Sequence, residues 1–363
     1  MLVVFYDIAT SNIRMSKIDL FFLWVSVFSF VYINPFNIFD YEFSKRVGLI
    51  SSFLVFYTFK KYFYLVQGKW FLRAFYFNFI GVLLHLSFTS SFASFAGVFT
   101  RVIKINYLDG YRGVSGFAPE PGFMGATSIV FILVAFLMLK SNKVTKKNFY
   151  LVVTLSVFMA MASSSGTASL MLLTLTLLVF IFSRYKLYYK IIFLLFIFSM
   201  SFIFSDFDLF GRGGEVLIKM LTDPYSLFVL DESVARRAVS ISVGIESIAQ
   251  GNIFGNGIGT LLYVGESIVS NTYLGTHYSE VLKYAGGTLS SFSQYTVEIG
   301  IIFLVLMVWI YKRVIPERIF YISRFMTVFF LLASFSILFP PLWLILSLTD
   351  KKNIANYNKD IEL

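Results

Sequence analysis

Apolar residues run along this chain in blocks of about 17 to 25, each long enough to cross a hydrocarbon layer about 30 Å thick. The blocks predict about ten helices, near residues 18–36, 47–66, 71–90, 123–139, 148–163, 166–183, 189–205, 293–311, 319–337 and 340–349. Lys60 and Lys61 interrupt the second, and the tenth is short. The two-residue alternation of an outer-membrane barrel is absent. The first block does not read as a cleaved leader, because aromatic residues crowd its end and no small-x-small site follows. The pattern predicts an all-α, polytopic integral membrane protein, with residues 1–363 as a single membrane domain.

The polar connections are of two kinds. Those carrying Lys60, Lys61, Lys69 and Arg73, then Lys140, Lys143, Lys146 and Lys147, then Arg184, Lys186 and Lys190, are basic and almost free of acids. With the Lys312–Arg318 turn and both termini they hold most of the Lys and Arg, which places them in the cytoplasm. Residues 91–122 and 206–292 then face outward as large loops. In the second, Asp231 can cap a helix whose Val234, Ala238, Ile241, Ile245 and Ile248 share one face and which stops at Gly251-Asn252. That helix is expected on the membrane surface or against the bundle.

Composition changes this picture little and chiefly excludes. The chain is 58% hydrophobic and 14% charged, far from a soluble domain. The net charge of +10 is accounted for by the cytoplasmic connections, so no nucleic-acid partner is predicted. There is no cysteine, and His85 and His277 are the two histidines, without metal-ligand spacing to carboxylates. No metal and no cofactor is expected.

Chemistry concentrates in the outward segments. Tyr111–Gly125 reads YRGVSGFAPEPGFMG, with Arg112 and Glu120 eight positions apart and a helix able to begin just after Pro121. Arg236 and Arg237, early in the predicted outer helix, can clamp a phosphate or pyrophosphate bidentately together with Arg112 and Arg101, or face solvent and lipid headgroups. Gly255-Asn256-Gly257-Ile258-Gly259 lacks dinucleotide spacing and reads as a turn that lets backbone pass closely under another element. Ser163-Ser164-Ser165-Gly166-Thr167 reads as a tightly packed turn. Glu298 lies inside the eighth block, where an acid needs a partner such as an outer arginine. His85 reads as a satisfied interior histidine. His277 can serve as a base, hydrogen-bond sugar, or sit idle at the surface. Tyr107, Tyr111, Tyr273 and Tyr278 suit sugar stacking or an interfacial aromatic belt.

Taken in order, GF-x-PEP-x-F (Gly116–Phe123), the Ser-Ser-Gly-Thr hairpin, ARRAVSIS leading to GNIFGNGIG, and SSFSQYTVEIGII resemble the Wzy-type O-antigen polymerase branch of the bacterial O-antigen ligase/polymerase superfamily. The likeness spans about residues 100 to 315. It implies a glycosyltransferase-C-like fold in the bacterial inner membrane and metal-independent transfer at the periplasmic face. The implied substrates are undecaprenyl-pyrophosphate-linked oligosaccharide repeat units. A Wzz-type chain-length regulator and a Wzx-type flippase are the partners compatible with it. Arg236 or Arg237 matches the family's loop arginine. Gly122 stands where the family usually has serine, and Ser290-Ser291 stand where the ligase branch has a His-Asn or similar pair. Two other functions remain open: a ligase passing chains to lipid A–core, and a flippase for lipid-linked sugars. A flippase predicts paired charges deep in several spans and often an internal repeat, and neither is evident in the sequence.

Overall fold

The structure, a computed structural model, describes residues 15–31, 42–62, 65–88, 91–92, 94–95, 113–118, 120–182, 219, 232–277, 290–312 and 326. These residues are helical with turns and contain no strand. The chain separates into two compact units. The first comprises residues 1–63 with 225–359, and the second comprises residues 64–224 with 360–363.

In the second unit, α3 (Gly68–Ser87), α4 (Pro121–Lys140), α5 (Lys146–Ala162) and α6 (Gly166–Phe182) follow the predicted blocks to within a few residues. α3 and α4 are long and apolar enough to cross a bilayer. α4 starts where Pro121 permits it, since proline at the first helical position gives up an amide that has no intrahelical partner anyway. α4 packs on α5 and α6, and small residues allow the approach: a Cβ on Gly125 would stand 2.2 Å from the Ala168 Cβ. The tight-packing reading of the serine turn therefore holds, with Ser163 buried and its hydroxyl donating to the Ala160 carbonyl at 2.6 Å.

In the first unit, α1 (Lys17–Val31) pairs with α2 (Glu42–Tyr62). Lys60 and Lys61 do not interrupt α2, which runs through both. The reason is local neutralisation. Lys60 Nζ is held by both carboxylate oxygens of Asp19 at 2.6 and 2.7 Å and donates to the Ser16 hydroxyl at 2.9 Å. Lys61 Nζ lies over the rings of Tyr57 and Tyr62. Asp19 is buried, so Asp19→Ala leaves an ammonium without its counter-charge and should cost about 3–5 kcal/mol. Thermal unfolding in detergent checks this: the D19L/K60M double substitution should unfold at a higher temperature than D19A.

The remaining helices of the first unit are α7 (Glu232–Ala249), α8 (Leu261–Ser270), α9 (Tyr273–His277), α10 (Ser291–Ile299) and α11 (Ile301–Lys312). α7 stops as expected. Gly251, at φ +77°, donates to the Ile248 carbonyl and Asn252 to that of Ser247, the paired bonds of a Schellman ending. The buried face of α7 differs from the predicted one. Ala235, Val239, Val243 and Ser247 are buried, whereas Ile245 is 56% exposed. The cause is steric: α7 packs against α10, and a Cβ on Gly244 would stand 2.6 Å from the Phe292 ring. Only small residues admit that approach, and Ile245 is left outside it. Ala235, Val239 and Val243 form a core with Leu261, Ile268, Val269 and Val297.

The eighth predicted span is not continuous. It breaks at Gly300 into α10 and α11. Gly300 has φ +73° and ψ −149°, a conformation essentially reserved for glycine. Predicted spans 189–205 and 340–349, and 319–337 apart from residue 326, lie outside the described residues.

Candidate functional site

The sequence motifs form two local constellations, one in each unit. In the second unit, residues 113–118 are tied down at several points before the chain enters α4. The Val114 amide donates to the Ala162 carbonyl at 3.0 Å, beside the serine turn. The Ser115 amide donates to His85 Nδ1 at 3.3 Å, which leaves that nitrogen without a proton and the ring packed on Phe92. Phe117 stacks on Phe77 with centroids 4.5 Å apart, in space that Gly81 leaves open. His85 is thus the satisfied interior histidine expected of it, and it anchors the loop.

Glu120 ends that loop as the N-cap residue of α4, in extended conformation. Its carbonyl accepts from the Phe123 and Met124 amides at 3.1 and 3.2 Å. Its side chain makes no capping hydrogen bond and is exposed, so the carboxylate stands at the positive end of a 20-residue helix. Among the described residues it has no partner. Beside it, a Cβ on Gly122 would lie 3.5 Å from the Ser165 hydroxyl. The PEP segment and the serine turn, more than forty residues apart in sequence, therefore meet.

In the first unit, Arg236 and Arg237 lie in the second turn of α7 and are both half-buried. Arg236 follows the buried stripe, at spacings of three and seven from Val239 and Val243, and its Nε is buried. Arg237 lies about 100° further round. Glu298, in α10, is fully buried, and its Oε2 accepts from Gln294 Nε2 at 3.3 Å.

The glycine-rich segment closes the end of α10. The Asn256 and Gly257 amides donate to the Val297 and Glu298 carbonyls at 2.8 and 3.0 Å. The side-chain amides of Asn252 and Asn256 also reach the Val297 carbonyl. In return the Ile301 amide donates to the Ile253 carbonyl at 2.9 Å. The helix-end carbonyls beside the break thus find partners in a neighbouring loop. The close backbone passage read from the glycines is what the structure contains. The roles of Asn252 and Asn256 were not foreseen, because an Asn beside a glycine signals a turn without revealing what the turn caps.

Tyr273 is exposed at the start of α9, and His277 ends that helix with its side chain outside the described residues. Arg101, Tyr111, Arg112 and Tyr278, with Asp231 and Tyr107, also lie outside them. Among the described residues no group of three or more His, Cys, Asp or Glu is placed to hold a metal ion. The chain matches no protein-family model, no curated protein and no solved structure.

Proposed function

We propose that this protein is a multi-pass glycosyltransferase of the bacterial inner membrane that joins undecaprenyl-pyrophosphate-linked oligosaccharide repeat units at the periplasmic face. Both termini are cytoplasmic in this reading, and the outward segments 91–122 and 206–292 carry the site. A hydroxyl at the non-reducing end of one lipid-linked repeat attacks the anomeric carbon of the chain on another lipid. The C1–O bond to pyrophosphate breaks, the lipid pyrophosphate leaves, and Glu120 takes the acceptor proton. The leaving group is good, so positioning and cations for the developing phosphate charge carry most of the catalysis. Arg112, Arg236 and Arg237 are the cations.

The observation that carries this reading is the exposed Glu120 carboxylate at the start of an apolar helix, just after a loop whose backbone is pinned at Val114, Ser115 and Phe117. A carboxylate open to a substrate is what a general base requires. The test is purified protein incubated with lipid-linked repeat units, with and without chelator, and the products sized on a gel. Extension should proceed with chelator present. Glu120→Gln should slow it by about 10²-fold while leaving the protein correctly inserted. Normal chain growth by that variant would remove the base role. Charge-neutralised arginine variants that extend chains normally, with translocation of labelled lipid lost, would favour the flippase.

A further inference from the structure

The outward segment that follows α7 ends at an unusual place. The Ile253 carbonyl accepts the first amide of α11, so residues 252–257 stand level with the start of that helix. α11 closes on Lys312, at the head of the basic turn that the proposed topology puts in the cytoplasm. Eleven rises of an α-helix cover about 17 Å, and tilt only shortens the depth reached. A hydrocarbon layer of about 30 Å then extends about 13 Å beyond Ile301. Even with Lys312 drawn a few ångströms inward and snorkelling, Ile301 and Ile253 remain inside the apolar layer.

The side chains and backbone of this segment fit that depth. Ile253 and Phe254 are 53% and 63% exposed, next to a helix whose Val305 and Val308 are exposed as well. Two adjacent bare apolar side chains are costly in water and at home among acyl chains. Irregular backbone at membrane depth must also be satisfied by protein. The Asn252, Asn256 and Gly257 amides and the Ile253 carbonyl find protein partners, while the Ile253 and Phe254 amides have none among the described residues.

We propose that residues 251–257 form a re-entrant segment that dips from the outer face into the bilayer, with Ile253 and Phe254 against acyl chains of the outer leaflet. It would hold the arginine-bearing α7 and the buried Glu298 on one frame. The inference rests on the proposed bilayer crossing of α11.

The chain has no cysteine, so single-cysteine variants can be labelled cleanly. Phe254→Cys, Ile253→Cys and, as reference in α11, Val308→Cys would each carry a nitroxide in full-length protein. The protein would be reconstituted into phosphatidylethanolamine/phosphatidylglycerol vesicles. Collision with oxygen and with a water-soluble nickel chelate is then compared. Labels at 253, 254 and 308 should all favour oxygen, with nickel access roughly tenfold below that of a water-exposed label, because a polar chelate is expelled from hydrocarbon. Nickel-accessible labels at 253 and 254, with 308 still in lipid, would overturn the re-entrant segment and leave the crossing intact. Labels at 253 and 254 shielded from both reagents would also overturn it, since protein then covers the site. Nickel access at 308 would overturn the crossing of α11 and the re-entrant placement together.

Discussion

Replacing Gly300 by alanine should cost about 4 kcal/mol or more of stability, among the largest losses of any single change in the first unit. A side chain there must adopt a backbone conformation that costs about 1–3 kcal/mol outside glycine. Its Cβ would also stand 2.3 Å from the Ile253 carbonyl oxygen and 2.6 Å from the Gly255 nitrogen. Relief requires the two backbones to separate, which breaks the bonds from Asn256 and Gly257 to α10 and from Ile301 to Ile253, each worth about 1 kcal/mol. Gly255→Ala strains the same junction from the other side, its Cβ meeting the Glu298 carbonyl oxygen at 2.3 Å. Because both act on one gap, the double variant should cost less than the sum. Gly251→Ala is the control. Its φ is +77°, yet nothing lies within 4 Å of the added Cβ, so the loss should stay near 1 kcal/mol. Thermal unfolding in detergent separates the cases. Equal melting temperatures for G300A, G255A and G251A would mean the close passage is absent.

That junction also marks the limit of what the sequence made legible. The start of α4 and the end of α7 could be read because proline and glycine act locally, through a missing amide and a positive φ. The break at Gly300 could not. One glycine in an apolar run is compatible with an unbroken span, and what makes the break tolerable is a loop more than forty residues earlier. The buried face of α7 was misread for a related reason. Small residues such as Gly244 and Ala235 decide how closely a neighbour can approach, and Ile245 is left exposed. The Asp19–Lys60 pair was hidden likewise, since it joins two helices whose sequences do not reveal their facing register. The site was legible by parts. The PEP segment and serine turn meet, and the arginine helix packs on the helix of Glu298. The chemistry assigned to Arg101, Tyr111, Arg112 and Tyr278 lies outside the described residues.

Arg237→Ala should reduce chain extension by about 10²–10³-fold, the effect of removing one charge-assisted contact to a developing phosphate charge, or about 2–4 kcal/mol. Arg236→Ala should lose as much and unfold more easily too. The sequence alone could not separate the two, but their places on α7 do. Arg236 shares the face of Val239 and Val243 and has a buried Nε, so truncating it opens the core of the first unit. Arg237 shares its face with Ile241, Gly244 and Ile248, beside α10 and away from the core of Ala235, Val239 and Val243, where truncation disturbs less. The expected signature is therefore a split: the melting temperature falls for R236A and holds for R237A, while both leave products of a single repeat. Lysine distinguishes charge from geometry. If a bidentate grip on pyrophosphate is what the guanidinium supplies, Arg237→Lys recovers little, because an ammonium offers a point charge without the planar fork. Full-length ladders from both alanine variants, correctly inserted, would remove α7 from the proposed phosphate site.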